Sequence, residues 1–81
     1  MRLRCTPRFA RAYAKAPEEI QRAFDKPSLF LLQWLRHPSL RAKKYDEGTG
    51  QWQARATRDW RFYFLIRGDE YILQDIVPHP K

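Results

Sequence analysis

The sequence has little of what several protein classes depend on. It contains a single cysteine, Cys5, so an internal disulfide cannot form and a small secreted domain held by disulfides is excluded. Its three glycines all fit turns, and none belongs to a glycine-rich phosphate loop. One cysteine and two histidines give no spacing typical of a zinc site. The stability of the chain must therefore come from an apolar core.

Long apolar runs are also absent. The longest stretches, residues 30–32 and 62–66, fall far short of the roughly 20 residues that span a bilayer. Near the N-terminus every apolar run is interrupted by an arginine: Arg2, Arg4, Arg8 and Arg11. The sequence therefore predicts neither a membrane span nor a signal peptide, and we expect a cytoplasmic protein.

Acidic residues are scarce relative to basic ones. The 81 residues include 16 Lys and Arg against 9 Asp and Glu, a formal charge of +7, and 43% of them are hydrophobic. That apolar fraction excludes a disordered basic tail, and the length predicts a single domain, residues 1–81. The charge favours a polyanionic partner, the plainer alternative being a generally basic, solvated surface. Nine basic and three acidic side chains lie in residues 1–41, so most of the excess is N-terminal.

The first half of the chain is patterned as a strand followed by helices. Apolar and basic residues alternate over residues 1–6, as in an edge strand with one solvated face. Helical spacing begins at Pro7, and Pro17 ends this helix and opens the next. Residues 27–37 continue helical after a break or kink at Pro27.

From Leu40 onward the pattern changes to a period of two. Residues 51–57, 60–67 and 70–77 predict three antiparallel strands, preceded by a loop. Helices followed by such a meander predict an α+β domain, in which the N-terminal strand adds to one edge of the sheet.

The two central predicted strands have one apolar and one polar face. The apolar face is expected to be core and carries Trp52, Ala54, Ala56, Trp60, Phe62, Phe64 and Ile66. The opposite face carries Gln53, Arg55, Thr57, Arg61, Tyr63 and Leu65. Arginines, an amide and a phenol on one sheet face indicate a binding or catalytic surface.

Several polar residues suit cleavage of an RNA phosphodiester: Lys43, Lys44, Arg55, Arg58, Arg61, Tyr63 and His79. This reaction needs a base for the 2′-hydroxyl, positive charge on the crowded phosphorane, and an acid for the leaving 5′-oxygen. Arginine binds phosphate with a planar fork, histidine exchanges protons near neutral pH, and a phenol stacks on unpaired bases. A lysine acts as a base when neighbouring charge lowers its pKa.

The order of several short motifs resembles a known family. They are His37-Pro38-Ser39-Leu40-Arg41-Ala42-Lys43-Lys44, Trp52-Gln53-Ala54-Arg55, Asp59-Trp60-Arg61-Phe62-Tyr63-Phe64, Gly68-Asp69, Ile72-Leu73 and His79. Together they resemble the RelE/ParE superfamily of type II toxin-antitoxin toxins, most closely the RelE-like mRNA interferases. The resemblance implies a helical hairpin packed on a small, twisted antiparallel sheet.

The resemblance also implies an activity, a site and partners. The activity is ribosome-dependent cleavage of mRNA in the A site by 2′-hydroxyl attack, with no metal and no other cofactor. Arg55, Arg61, His79 and Lys44 correspond to catalytic positions, with Arg61 as the phosphate clamp. The implied RNA-binding residues are Arg41, Lys43, Gln53, Arg58 and Tyr63. The implied partners are a cognate acidic antitoxin, mRNA and ribosomal RNA. Arg8 and Arg11 are our candidates for contacting ribosomal RNA or the acidic antitoxin.

The sequence departs from the family in two places. Gln74-Asp75 stands where many members have a basic residue late in the last strand, and Pro80-Lys81 follows His79 where an aromatic is common. Base stacking and one phosphate contact then fall to Tyr63 and Arg58. Two alternatives stay open: a ParE-type inhibitor of DNA gyrase, and a catalytically degraded toxin that only binds an antitoxin.

Five other residues, of three types, are interpreted as structural. Cys5 is expected to be a small, half-buried strand residue. His37 is expected at a helix C-terminus, where a cation stabilises the helix dipole. The three tryptophans, Trp34, Trp52 and Trp60, are expected in the core rather than as stacking platforms.

Overall fold

Strands flank three consecutive helices in residues 1–79, the part of the chain that the computed structural model describes. The elements are β1 (Arg2–Cys5), α1 (Pro7–Lys15), α2 (Glu18–Ala23), α3 (Asp25–Gln33), β2 (Lys43–Asp46), β3 (Gln51–Thr57), β4 (Trp60–Arg67) and β5 (Glu70–Pro78). Pro80 and Lys81, the second departure from the family pattern, lie outside the described residues.

The strands form a single sheet in the order β1-β5-β4-β3-β2. β2 to β5 pair antiparallel, whereas β1 lies at the edge and runs parallel to β5. Gly68, in the turn between β4 and β5, has a φ of +57°, a conformation that glycine adopts without steric cost. The predicted α+β fold, the edge position of the first strand and the three-strand meander are confirmed.

The helices begin and end where the sequence offers caps and breaks. Thr6 caps α1, because its Oγ1 accepts a 3.1 Å hydrogen bond from the Phe9 backbone N–H, and Pro7 occupies the first turn. The Tyr13 hydroxyl donates to the Gln21 carbonyl at 3.0 Å, and Gln21 Nε2 donates back to the Tyr13 carbonyl at 2.9 Å. These reciprocal bonds hold α1 against α2.

The core lies between the helices and one face of the sheet. Phe62, Phe64, Leu31, Leu40, Leu73 and Ile76 are its largest fully buried side chains. Ala54 and Ala56 are also buried, and Trp52, Trp60 and Ile66 pack against this core. The predicted apolar face of β3 and β4 is therefore confirmed, and the opposite face is left uncovered by the helices.

One strand was not predicted. Residues 43–46 were expected in a loop but form β2, which pairs Lys43 with Gln53 and Lys44 with Trp52. All four residues of β2 are exposed, so they lack the apolar alternation that marks a half-buried strand. The free edge of β3 supplies the hydrogen bonds that make this segment a strand.

The prediction that the last helix runs to His37 was wrong. α3 ends at Gln33, and Trp34 is already extended, with φ −166° and ψ 116°. The His37 ring instead stacks on Phe30, with centroids 3.9 Å apart, and its Nδ1 accepts from the Ser39 backbone N–H at 3.1 Å. These contacts replace the helix-capping role expected of His37. The break expected at Pro27 occurs at Phe24, and Pro27 lies in the first turn of α3.

Two predicted burials were also wrong. Cys5 is exposed, because β1 is an edge strand with little packed over it. Trp34 is 58% exposed, because it follows the end of α3 rather than lying on its buried face. Among residues 1–79, no helix is long and apolar enough to cross a membrane.

Candidate functional site: a cationic cleft beside an aromatic cleft

Arg61 is held in place by the turn between β3 and β4. Its Nη1 donates to three backbone carbonyls, those of Thr57 at 2.9 Å, Arg58 at 3.1 Å and Trp60 at 2.9 Å. A bulge between Arg55 and Thr57 shapes this turn. Because Nη1 satisfies the carbonyls, Nη2 and Nε of Arg61 remain available for a ligand.

Arg41 reaches the same region through an unusual backbone conformation. The Leu40 carbonyl accepts a 2.7 Å hydrogen bond from the Arg55 backbone N–H, and Leu40 is fully buried. The next residue, Arg41, has a φ of +48°, in the left-handed region that non-glycine residues rarely adopt. This residue directs the chain from the core into β2, and strained positions of this kind cluster at functional sites.

The polar face of the sheet contains a cleft of about 230 Å³, which we call the arginine cleft. It is lined by Arg41, Lys43, Gln53, Arg55, Arg61 and His79. Arg55 and Arg61 are register partners on β3 and β4. His79 follows β5 and is tied to the β3–β4 turn by a 2.7 Å bond from its backbone N–H to the Asp59 carbonyl.

The electrostatics of the arginine cleft favour the binding of an anion. Burial lowers the pKa of Arg61 from its ordinary value, and the guanidiniums of Arg55 and Arg41 lower it further, while Tyr63 and Asp59 act in the opposite direction. The Nε of Arg55 is buried and has no hydrogen-bond partner among the described residues. An anion between these guanidiniums relieves their repulsion and accepts their free N–H groups.

A second cleft, of about 400 Å³, lies on the same sheet face, and we call it the tyrosine cleft. It is lined by Arg8, Tyr45, Gln51, Tyr63, Gln74 and Asp75. The rings of Tyr45 and Tyr63 meet edge to face, with centroids 5.0 Å apart. Arg8 Nη2 lies 3.1 Å from Asp75 Oδ2, so a charge from α1 is paired with one from β5.

A hydrogen bond joins the two clefts. Gln53 lines the arginine cleft, and its Nε2 donates to the hydroxyl of Tyr63, in the tyrosine cleft, at 2.9 Å. Gln53 precedes Arg55 by two residues on β3, which is about 7 Å along a strand. The two clefts are thus adjacent compartments of one surface.

The predicted site residues divide between these compartments and the surface beyond them. Six of the nine line the arginine cleft, and Tyr63 lines the tyrosine cleft. Lys44 faces the other side of the sheet, with its ammonium 5.3 Å from the centroid of the Trp52 ring. Arg58 is an exposed turn residue whose carbonyl supports Arg61. The structure therefore brings neither Lys44 nor the side chain of Arg58 into the clefts.

Sequence reasoning missed most of the tyrosine cleft. A bulge pairs Tyr63 with Asp75 and Phe64 with Leu73, so Gln74 is an extra residue on β5. Strict alternation groups Asp75 with the buried Leu73, whereas the bulge turns it to the polar face. Tyr45 follows Lys43 by two residues, and that spacing identifies it once residues 43–46 are known to be a strand.

The chemistry available in these clefts is that of cations, amides, phenols, one imidazole and one carboxylate. Arginines and a lysine bind phosphate oxygens, and a histidine exchanges a proton at near-neutral pH. Within residues 1–79, no three histidine, cysteine, aspartate or glutamate side chains come together as metal ligands. The arrangement suits the binding of a phosphate group beside a planar ring.

Comparison with solved structures gives the chain the fold of the RelE/ParE toxin superfamily, which confirms the fold implied by the sequence resemblance. The YoeB/ParE toxin from Agrobacterium tumefaciens is 14% identical over 99% of this chain and 100% of its own, with a TM-score of 0.78. Neither the family models nor the curated proteins give a match. At this identity the likeness establishes the fold.

Two further neighbours are toxins in complex with their antitoxins. The YoeB-YefM heterotetramer from Staphylococcus aureus contains a chain that is 8% identical over 96% of this chain and 95% of its own, with a TM-score of 0.75. The RelB-RelE complex from Methanococcus jannaschii contains one that is 14% identical over 93% and 88%, with a TM-score of 0.68. Both of these solved structures thus contain a chain with this fold in a complex of a toxin with an antitoxin.

Proposed function

We propose that this protein is the toxin of a type II toxin-antitoxin system and that it cleaves mRNA on the ribosome. The observation that carries the proposal is the arginine cleft, where three guanidiniums, a lysine and a histidine converge on the uncovered face of a toxin fold. Phosphodiester cleavage in RNA needs concentrated positive charge and a proton-transfer group at one position. The arginine cleft supplies both from this chain alone.

The reaction assigned to the cleft is an internal attack within the RNA. The 2′-hydroxyl loses its proton and its oxygen bonds to the adjacent phosphorus, while the bond from phosphorus to the 5′-oxygen breaks and that oxygen takes up a proton. Arg55 and Arg61 stabilise the charge on the phosphorane, and Arg41 and Lys43 hold the flanking backbone. His79 transfers one of the two protons, because histidine is the side-chain type suited to it near neutral pH.

The partner proposed for the resting state is an acidic antitoxin. A cationic cleft of this kind is complementary to a negatively charged partner. The solved YoeB-YefM and RelB-RelE structures are complexes of a toxin with an antitoxin, which supports an antitoxin as that partner. Arg8 is already paired with Asp75, so of the two N-terminal candidates the exposed Arg11 is the freer for such a contact. Ribosomal RNA is the other polyanion proposed to contact the basic surface when the toxin is active.

The test is cleavage mapping on translating ribosomes with wild type, Arg61→Ala and His79→Ala. We expect wild type to cut mRNA in the A site and both variants to lose about 100-fold or more in rate, since removing one transition-state donor costs that much. Arg67→Ala is the matched control, because Arg67 ends the same strand about 20 Å from Arg61 and lines neither cleft. It should cleave at the wild-type rate.

The possible outcomes separate this proposal from its alternatives. If folded wild type cuts no mRNA, the proposal fails. Inhibition of DNA gyrase supercoiling would then identify the ParE-type alternative. Binding to an antitoxin with neither activity would identify the degraded toxin. The catalytic role predicted for Lys44 stays a prediction, and cleavage by Lys44→Ala tests whether a lysine on the far face of the sheet contributes. A variant with wild-type thermal unfolding but no cleavage supports the assignments made to Arg61 and His79.

A further inference from the structure

The tyrosine cleft differs in charge from the arginine cleft. The arginine cleft has four cationic lining residues and no carboxylate among the described residues that line it. The tyrosine cleft has one cation and one carboxylate, Arg8 and Asp75, and these are paired with each other. A phosphate gains little from such a neutral pair and is repelled by the carboxylate. The tyrosine cleft therefore suits an uncharged, planar group.

Aromatic surface is available to such a group. Tyr45 is 57% exposed at the edge strand, and its ring meets that of Tyr63 edge to face. Tyr63 is fixed from the other side by the hydrogen bond from Gln53. An exposed ring backed by a fixed one forms a stacking platform, and base stacking on aromatic side chains is the usual way proteins hold unpaired nucleotides.

The polar groups around this platform have spare hydrogen-bonding capacity. Gln51 Nε2 donates to Gln74 Oε1 at 2.8 Å, which leaves the Gln51 carbonyl as an acceptor and the Gln74 amide as a donor. Asp75 Oδ1 accepts from the Ile76 backbone N–H at 2.9 Å, and each carboxylate oxygen can accept a further bond. Arg8 has donors beyond the one directed at Asp75.

This set of donors and acceptors matches guanine better than any other base. Guanine presents the O6 acceptor beside the N1–H and N2–H₂ donors, so a guanidinium can meet the first and a carboxylate the other two. Adenine and cytosine each offer one donor group on this edge, and uracil offers one N–H between two carbonyls. A carboxylate only accepts hydrogen bonds, so it favours the base that presents the most adjacent donors.

We propose that the tyrosine cleft binds a guanine base of the RNA whose phosphate lies in the arginine cleft, with Asp75 and Arg8 as specificity-determining residues and Tyr45 as the stacking residue. The inference rests on the proposed function for the identity of the RNA, and it deepens that function by naming the base. The Gln53–Tyr63 hydrogen bond fixes the distance between the base and the phosphate compartments.

The test measures binding of labelled single-stranded RNA to the full chain by fluorescence anisotropy. The probes are a uridine nonamer and the same oligomer with its central residue replaced by guanosine or by adenosine. We expect wild type to bind the guanosine probe about tenfold more tightly than the adenosine probe, the discrimination typical of one good bidentate base contact. Tyr45→Ala should weaken binding of both purine probes by fivefold or more, because it removes the stacking surface.

Asp75→Asn is the decisive variant, and Asp69→Asn is its matched control. Both remove one carboxylate charge, but Asp69 lies in the exposed β4–β5 turn, 3.8 Å from Arg2 and outside both clefts. Asp75→Asn should abolish the guanosine preference and Asp69→Asn should keep it. Equal affinity of wild type for the two purine probes, or an unchanged preference in folded Asp75→Asn, overturns the inference. If Asp75→Asn does not fold, Arg8→Gln serves instead and is expected to reduce the preference.

Failure here is distinguishable from failure of the proposed function. If the protein cleaves mRNA on the ribosome without a guanosine bias and binds the two purine probes equally, the proposed nuclease activity stands and the guanine assignment is wrong. If the protein prefers the guanosine probe but cleaves no mRNA, the guanine assignment stands and the proposed nuclease activity is wrong. The same cleavage maps should show that Asp75→Asn redistributes the cuts rather than abolishing them.

Discussion

At the scale of single residues, two arginines show how local structure prepares a site. Arg61 gives one nitrogen to three carbonyls of the β3–β4 turn, which fixes its guanidinium before any ligand arrives. Ordering a long side chain in advance reduces the entropy lost on binding. Arg41 is positioned by its backbone instead, at a φ of +48°. Positive charge is thus positioned by hydrogen bonds at Arg61 and by a strained backbone conformation at Arg41.

The strain at Arg41 predicts opposite effects of two substitutions. Arg41→Gly should raise the free energy of unfolding by up to about 1 kcal/mol, since relief of the left-handed conformation exceeds the entropy cost of glycine. Arg41→Val should lower it by about 1 kcal/mol or more, because a β-branched residue is poorly tolerated there. Urea denaturation measures both. Both variants should weaken RNA binding alike, as both lack the guanidinium, and equal loss of stability would contradict the assignment of strain.

At the scale of elements, two irregularities of the sheet create the tyrosine cleft. The edge strand β2 brings Tyr45 to the polar face, and the bulge on β5 brings Asp75 there. A bulge changes which face the following residues occupy, so Ile76 enters the core as Asp75 leaves it. The departure of Gln74-Asp75 from the family pattern thus coincides with a change in local geometry.

The junction of β1 and α1 gives a prediction at the same scale. Thr6 Oγ1 accepts from Phe9 N–H at 3.1 Å and donates to the Leu73 carbonyl at 3.0 Å, so one hydroxyl caps α1 and ties it to β5. Thr6→Ala should lower the free energy of unfolding by about 1–2 kcal/mol. Thr6→Ser keeps both bonds and should cost much less. Equal destabilisation by the two variants in chemical denaturation would show that the hydroxyl is not responsible.

At the scale of the whole molecule, the net charge is a poor guide to the site. Residues 1–41 carry most of the excess of +7, yet five of the six residues of the arginine cleft come from the second half of the chain. Several N-terminal arginines are paired on the surface, among them Arg2, Arg4 and Arg8. In the folded protein, part of the N-terminal positive charge is paired with carboxylates, and cations of the second half lie together in the arginine cleft.

Salt dependence tests whether this gathered charge binds RNA. The logarithm of the association constant for single-stranded RNA should fall with the logarithm of salt concentration by about 0.7 for each phosphate contacted. Arg55→Gln should reduce the slope by about that amount, and Arg67→Gln should leave it unchanged. Titrations between about 50 and 200 mM salt measure the slopes. An affinity insensitive to salt would exclude phosphate binding by the arginine cleft.

The sequence predicted the order of the elements well because that information is local. Alternation over residues 51–57 and 60–67 identified two strands and their buried face, since one side of each had to be apolar. It failed where tertiary contacts override the local pattern. The helix ended at Gln33 rather than His37 because His37 stacks on Phe30, and β2 formed from exposed residues because β3 offered a free edge.

Periodicity and strand order in the sequence were enough to predict the α+β fold, the polar face of β3 and β4, and the presence of Arg55 and Arg61 on that face. Tertiary structure alone decided that Arg41 and His79 join those arginines, that Lys44 does not, and that Tyr45 and Asp75 form a second cleft. A left-handed residue, a bulge and an edge pairing determine these positions. Each depends on contacts between distant segments, which no local pattern in the chain encodes.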